Sequence, residues 1–314
     1  MPVTVRRLLY RLGQAAVVAF ACAVVVFMLV RLVPGDPARG ILGPHANEES
    51  LATLNAELHL DLPLWRQFVA YFGGVLQGDL GHSVVTPSQT VAGVIRASLP
   101  ITLVLVGVST IISLLAGVTL GIVAAGRRRS VDVASRGVVA LLLSSPPFLI
   151  GLVLIFVFSI TFALFPPGGW GTGWPDNFKY LVLPSIALAG VLTPLIARTV
   201  RQSALDVSRE QFVEAAIARG VRPRKLIILH VLPNCMLPVV TLVGINFGFM
   251  IAGAVVIEAV FGLPGFGTQL VQAVSARDYT VIQGITLVSA LLVISANLIA
   301  DFVYLVVDPR TRKG

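Results

Sequence analysis

Residues 206–233 read DVSREQFVEAAIARGVRPRKLIILHVLP, a short polar stretch between long apolar runs. Its first half has the spacing of an amphipathic helix, and Gly220 stands where a left-handed C-cap residue fits. Pro223 suits the first turn of a second short helix, which we expect Pro233 to end. Asn234 is then a good N-cap for the helix that follows. The stretch therefore predicts a helix–turn–helix.

The first of these two helices has the chemistry of a contact surface. Glu214 offers a charge to a cation on another surface, while Ala215 and Ala216 are small enough to let that surface approach closely. No bulky apolar anchor is expected at this contact. The pattern suits a polar docking surface that can dissociate and form again.

The composition around this stretch is that of a membrane protein. Hydrophobic residues make up 56% of the 314 residues, charged residues only 12%, and the mean hydropathy is +0.91. A water-soluble chain of this composition would lack polar surface, so the bilayer must be its solvent. A bilayer core needs about 20 apolar residues of helix. We predict an all-α polytopic protein with six transmembrane helices, near 12–33, 99–125, 138–164, 181–200, 236–260 and 284–307.

Basic residues in the loops predict the orientation of these helices. With six spans, one side of the membrane holds 17 of the 23 Lys and Arg residues, including those of the docking stretch. By the positive-inside rule, that side and both termini are cytoplasmic. The predicted organisation is an N-terminal transmembrane helix (1–33), an extracytoplasmic segment (34–98), a five-helix core (99–307) with a cytoplasmic loop (203–233), and a cytoplasmic tail (308–314).

The extracytoplasmic segment contains one predicted amphipathic helix. Its apolar positions between Leu64 and Leu76 are spaced by one, three and four residues. Such a face can lie on the membrane surface or cover the other spans. The sequence leaves both alternatives open.

The net charge of +8 and pI near 10.2 do not indicate a nucleic-acid partner. The basic residues cluster at helix ends, without interleaved aromatic residues or a recognised module. Cys22 and Cys235 have no metal-ligand spacing and form no disulfide framework. His45, His59 and His82 are too widely spaced for a compact ligand set, so no metal is assigned.

Polar residues inside spans are candidates for the lining of a pathway, because such groups usually face protein or water. We select Asn246, Ser144, Ser145 and Gln283 as candidate pathway residues. Hydroxyl groups often bond to the backbone of their own helix instead. That structural alternative is favoured for the serines.

The segment from Glu258 to Gly267 is rich in glycine and aromatic residues. Three glycines and a proline in six residues favour an irregular re-entrant or surface loop on the outer face. We interpret Phe261 and Phe266 as apolar plugs of an outer gate, with Glu258 beside them. Simple packing is an equal alternative.

Several motifs together resemble the dipeptide/oligopeptide permeases, the membrane subunits of binding-protein-dependent ABC importers. The docking stretch resembles their EAA loop in Glu214-Ala215-Ala216, the following Gly220 and Leu232-Pro233, although His230 replaces the usual isoleucine. Further matching motifs are Pro34-Gly35-Asp36-Pro37, Gln77-Gly78-Asp79-Leu80-Gly81, Asn234 with Leu237-Pro238-Val239-Val240, Gly253-Ala254-Val255-Val256-Ile257-Glu258 and Asp308-Pro309-Arg310.

This resemblance implies a type I ABC importer permease fold in a bacterial cytoplasmic (inner) membrane. It implies three kinds of partner: a homologous second permease, two ATPase subunits or domains, and an extracytoplasmic substrate-binding protein. The ATPase-coupling residues would be Glu214, Ala215, Ala216, Gly220, Leu232 and Pro233. ATP and Mg²⁺ would bind the partner ATPases, because this sequence has no G-x-x-x-x-G-K-[ST] phosphate loop.

The family's substrates leave alternatives open. Di- or oligopeptides are the favoured cargo, and nickel, haem, glutathione or oligosaccharide are the alternatives within the same machine. An ATP-independent secondary transporter is a further alternative, although it would leave the EAA-like loop unexplained. A membrane enzyme is disfavoured, since the spans contain no recognisable catalytic arrangement.

Overall fold

The computed structural model describes residues 3–32, 47–48, 62–126 and 129–307. The regular structure in these residues is helical, with one isolated antiparallel bridge between His82 and Thr90. Short π-helical turns, Ile155–Thr161 and Ile227–Val231, follow α5 and α8 without a break. The α-helices are α1 (Val3–Leu32), α2 (Leu64–Gln77), α3 (Val91–Ala125), α4 (Arg129–Ser144), α5 (Pro147–Leu154), α6 (Asn177–Val207), α7 (Gln211–Ala218), α8 (Pro223–Leu226), α9 (Leu232–Phe261), α10 (Phe266–Ala276) and α11 (Tyr279–Val307).

Five stretches of the described residues are long and apolar enough to cross a membrane, which confirms the all-α polytopic class. A sixth crossing exists only if α4 and α5, bent by 105°, count as one span. The stretches are Tyr10–Met28, Val91–Ala125, Asn177–Val207, Pro223–Phe261 and Tyr279–Ala300.

The third span, predicted near 138–164, is not one continuous helix. The helix breaks at Ser145 and Pro146, and α5 starts at Pro147. Proline has no N–H to donate and disfavours helical geometry in the residue before it. Two consecutive prolines therefore stop α4 at Ser144, although the apolar run continues.

The prediction that Pro233 interrupts the chain before the fifth span is wrong. A π-helical turn over 227–231 leads directly from α8 into α9, so the helical path runs on through Pro233. Asn234 is no N-cap, because it lies inside α9, where its Nδ2 donates to the His230 carbonyl oxygen at 2.7 Å. The wider turn accommodates a proline whose missing N–H leaves one helical hydrogen bond unformed.

The described residues divide into two compact units, of which the first contains residues 3–6, 102–126, 129–263 and 295–307. Its centre is α6, in which 72% of the membrane-crossing stretch is buried, against 33% or less in the other four. The helices α4, α5 and α9 pack on α6. Its largest buried side chains include Leu188, Leu192, Ile196, Met250 and Phe261.

Two glycines allow α3 to pack closely on α6. A methyl group on Gly117 would lie 2.7 Å from Ile196 Cβ, and one on Gly121 would lie 2.7 Å from Val200 Cβ. One turn earlier, the Ser113 hydroxyl donates to the Ala189 carbonyl oxygen at 3.1 Å. This Gly-x-x-x-Gly pattern is typical of close helix packing in membranes, and the sequence analysis did not identify it.

The described residues of the second unit are 7–32, 47–48, 62–101 and 264–294. In this unit α2 packs on α1 through aromatic rings. The centroid of the Phe68 ring lies 6.0 Å from that of Phe20 and 5.2 Å from that of Phe27. The centroid of the Phe72 ring lies 5.4 Å from that of Phe20. One face of α2 thus covers a span, which was one of the two alternatives left open. Trp65, on α2, remains exposed.

A buried carboxylate joins the segment around Ser83 to the start of α11. Asp278 accepts hydrogen bonds from the Ser83 hydroxyl, from the Val84 N–H at 3.3 Å and from the Val281 N–H at 3.2 Å. Both Ser83 and Asp278 are buried. Because the segment and α11 are almost two hundred residues apart in sequence, this contact fixes a non-local connection within the unit.

We expect Asp278→Ala to open the segment around Ser83, since a buried hydroxyl and two N–H groups lose their acceptor at about 1–3 kcal/mol for each unsatisfied group. Limited proteolysis of the purified protein should show cleavage within 83–90 accelerated about tenfold or more. Asp278→Asn should have a smaller effect because one oxygen is retained. The control is Asp176→Ala, which removes a half-buried acid whose contact with Lys179 is 3.8 Å. Equal acceleration by the control would contradict the interpretation.

Candidate functional site

The helix–turn–helix predicted from residues 206–233 is present, and we call residues 211–231 the coupling segment. It consists of α7, a turn at Gly220, α8 and the π-helical turn. Gly220 has φ +74° and its N–H donates to the Ile217 carbonyl oxygen at 2.9 Å. A left-handed residue at this position explains why glycine ends the first helix.

The coupling segment joins the most buried span through three residues. Between α6 and α7, the Ser208 N–H and hydroxyl both donate to the Ala204 carbonyl oxygen, and the Glu210 carbonyl oxygen accepts the N–H groups of Val213 and Glu214. These contacts leave little freedom between the two helices. A displacement of α7 would therefore be passed directly to α6.

The surface of α7 differs from the expected one in two respects. Glu214 and Ala215 are exposed, as a docking role requires, and Glu214 forms no ion pair with any described residue. Ala216 is buried together with Val213, so it faces its own chain rather than a partner. Phe212 and Ile217 are 44% and 56% exposed. The surface therefore has two bulky apolar residues, contrary to the expectation of none.

Three of the four candidate pathway residues have side chains bonded to backbone carbonyl oxygens. Asn246 Nδ2 donates to the Leu242 carbonyl oxygen at 2.8 Å, and the Ser144 hydroxyl donates to that of Ala140 at 2.5 Å. Gln283 Nε2 lies 3.5 Å from the Val26 carbonyl oxygen. Ser145 is half-buried at the break between α4 and α5. The assignment of a pathway to these residues remains a prediction.

The candidate gate residues lie inside packed regions. Phe261 and Phe266 are each 2% exposed, Phe261 in the core of the first unit and Phe266 in an apolar cluster of the second. Glu258 is fully buried and accepts a hydrogen bond from Thr102 Oγ1 at 2.5 Å. This burial favours the packing alternative for both rings over the gate hypothesis.

The turn after α9 is shorter than expected. Gly262, at φ +60°, and Leu263 donate their N–H groups to the Glu258 carbonyl oxygen. A further helix, α10, begins at Phe266. The glycines therefore form a helix C-cap and a four-residue turn instead of a long irregular loop.

Several predictions fall outside the described residues. They are the motif at 34–37, most of the extracytoplasmic segment before residue 62, His45, His59 and the tail 308–314. Within the described residues, no group of three or more His, Cys, Asp or Glu residues is placed to hold a metal ion.

Comparison with protein families gives two matches that together extend over nearly the whole sequence. Residues 117–313 match the binding-protein-dependent transport system inner membrane component. Residues 4–106 match the N-terminal part of the binding-protein-dependent transport system membrane component. The boundary between the two matches falls within α3.

Similar curated proteins are named as transport permeases. A putative peptide permease protein of Brucella ovis is 40% identical over 314 residues, which cover 98% of this chain and 97% of the relative. The glutathione transport system permease protein GsiC of Escherichia coli K12 is 37% identical over 294 residues, which cover 93% of this chain and 94% of the relative.

Two solved structures share the fold at low sequence identity. A chain of the methionine ABC transporter MetNI in an inward-facing conformation gives a TM-score of 0.58 at 18% identity, covering 68% of this chain and 96% of that chain. A chain of an amino acid ABC transporter gives a TM-score of 0.51 at 15% identity, and the match covers 67% of this chain and 92% of that chain.

Proposed function

Because this chain belongs to the family of binding-protein-dependent transport system inner membrane components, we propose that it forms part of the transmembrane pathway of an ATP-driven importer. The chain is a multi-pass ABC-transporter permease. In the proposed machine it pairs with a homologous second permease, two ATPase subunits or domains and an extracytoplasmic binding protein. The machine would lie in a bacterial inner membrane, with both termini of this chain in the cytoplasm.

The observation that carries this proposal is the coupling segment. Glu214, Phe212 and Ile217 are exposed on a short helix that is joined by three residues to the most buried span. An exposed charge beside apolar side chains suits a cleft in a partner protein. Glu214 would pair with a cation of the ATPase, and closure of the ATPases on ATP would displace α7 and thereby α6.

In the proposed machine the chain is a non-catalytic subunit that alternates between inward-open and outward-open states. ATP and Mg²⁺ would bind the ATPase partners. Gly220 would set the turn of the coupling segment, while Ala215 would allow close approach. Leu232 and Pro233 would maintain the helical path from the segment into α9.

A di- or oligopeptide is the proposed cargo, supported by the name of the Brucella relative. The name of the Escherichia coli relative favours glutathione, itself a peptide, as the second candidate. Nickel, haem or oligosaccharide would require a different binding protein delivering to the same permease fold.

The test is a pull-down of the subunit from gently solubilised membranes, with the recovered proteins identified by mass spectrometry. Wild type should recover a second permease and ATPases, and Glu214→Lys should lose the ATPases while keeping the permease. Glu48→Lys is the control, because Glu48 is an exposed acid far from residues 203–233 in sequence. Recovery of this chain alone, unchanged by Glu214→Lys, would instead support the secondary transporter.

A further inference from the structure

A cavity of about 760 Å³ lies between α4, α6 and α9. This size falls within the range of about 300–1,000 Å³ that small-molecule sites occupy. Its wall combines guanidinium groups with apolar side chains. The lining includes Arg136, Arg198, Arg201, Leu143, Leu195 and Leu242.

The three arginines of the cavity are only partly neutralised. Asp132 accepts hydrogen bonds from Arg201 Nε at 2.9 Å and Arg201 Nη2 at 3.2 Å, and it lies 3.2 Å from Arg136 Nη2. Arg198 is exposed and forms no ion pair with any described residue. Three guanidinium groups therefore lie at the cavity, and Asp132 neutralises charge only on Arg136 and Arg201, which leaves an excess of positive charge beside an apolar wall.

The position of the cavity relates it to the coupling segment. It lies near the end of α6 from which the three-residue link runs to α7. Arg201 stands six residues before the last residue of α6, Val207, and is held to α4 by Asp132. In the orientation proposed above, this is the cytoplasmic end of the protein.

We propose that this cavity is an exit-side anion site, which binds the C-terminal carboxylate of a peptide before its release. The inference rests on the proposed function and adds a recognition site within it. A guanidinium group pairs with a carboxylate through two parallel hydrogen bonds. Every linear peptide with a free C-terminus presents that group whatever its sequence, and the leucines provide an apolar surface for variable side chains. Arg198 supplies the guanidinium that is not already paired.

The test measures binding of tri-alanine to the assembled transporter in nanodiscs, without nucleotide or binding protein, by saturation-transfer NMR titration. Tri-alanine with a free carboxylate should bind, and tri-alanine amide should bind about tenfold more weakly or not at all. Arg198→Gln should weaken binding of the acid about tenfold, the size expected for one charge-assisted hydrogen bond. Arg198→Lys should recover part of the affinity. Inorganic phosphate should compete.

Two further variants separate the site from general charge effects. Arg96→Gln removes an exposed cation near the start of α3, outside the cavity, and should leave binding unchanged. Asp132→Asn removes the competing carboxylate and should raise the affinity about threefold. Equal binding of acid and amide, or no effect of Arg198→Gln, would overturn the proposal.

The lipid composition of the nanodisc distinguishes a peptide site from a lipid headgroup site. Binding of tri-alanine should be the same in phosphatidylcholine discs with and without phosphatidylglycerol. Loss of binding on addition of phosphatidylglycerol would assign the arginines to a lipid phosphate and overturn the peptide assignment. Failure of the proposed function would appear earlier, as failure to recover partners in the pull-down, whereas failure of this inference would leave the assembled transporter intact.

Discussion

The variant Gly117→Ala/Gly121→Ala is expected to lose much of the folded protein, because each added methyl group meets atoms that cannot easily move. The methyl group on Gly117 would lie 2.9 Å from the Thr193 carbonyl oxygen, and that on Gly121 would lie 2.8 Å from that of Ala197. These are backbone atoms of α6, so relief requires α3 and α6 to separate. Overpacking of this kind costs about 1–3 kcal/mol at each site.

The measurement is the temperature at which half of the detergent-purified protein is lost from its monodisperse size-exclusion peak. The double variant should lower this temperature by about 5 °C or more, since about 1 kcal/mol corresponds to roughly 2–4 °C in chains of this order of size. Gly107→Ala on the same helix is the matched control, because no atom lies within 4 Å of its added methyl group. It should be neutral or slightly stabilising.

A compensating substitution tests the mechanism directly. Ile196→Ala removes the side chain that a methyl group on Gly117 would meet first, at 2.7 Å. Combined with Gly117→Ala, it should cost less than the sum of the two single changes. Strict additivity, or an equal loss in Gly107→Ala, would show that close packing at this crossing does not limit stability.

Local chemistry allowed the sequence to predict part of this structure. The apolar runs indicated the membrane class, and the glycine at 220 predicted the turn between α7 and α8 because a left-handed residue is needed there. The same logic applies to Gly262, where a glycine-rich turn was expected and a C-cap is found. Such features depend on neighbouring residues only.

The effects of the prolines on the helices were predicted wrongly, because a proline and an apolar run give opposing local signals. The prolines at 146 and 147 were present in the sequence, but the apolar run across them outweighed the signal for a break. At Pro233 the error was the reverse, since a π-helical turn carries the helix past the proline. Whether a proline ends or bends a helix depends on the packing around it.

Contacts between distant residues could not be predicted from the sequence alone. The pairing of Asp132 with Arg201 spans 69 residues, and the burial of Ala216 depends on what packs behind α7. The exposure of Phe212 and Ile217 likewise depends on which side of α7 is packed against the rest of the chain. Periodicity indicates that a helix is amphipathic, whereas the folded structure determines which apolar residues remain uncovered.

Phe212→Asp is expected to uncouple the proposed transporter with little effect on its folding. Phe212 is 44% exposed, and substitutions at exposed positions usually change stability by about 0.5 kcal/mol or less. At the centre of an interface, loss of an aromatic anchor costs about 2 kcal/mol or more, roughly a 30-fold weaker association. We therefore expect the size-exclusion profile to be retained while the ATPases dissociate.

The measurement is peptide-stimulated ATP hydrolysis by the reconstituted transporter, together with the amount of ATPase that co-purifies with this chain. Both should fall in Phe212→Asp, and Ile217→Ser should show the same direction because its side chain is 56% exposed on the same helix. Ala218→Ser, exposed on that helix without an apolar anchor, should retain both. If Phe212→Asp kept full stimulation and full ATPase recovery, α7 would not be the docking helix, and force would have to reach α6 through another surface.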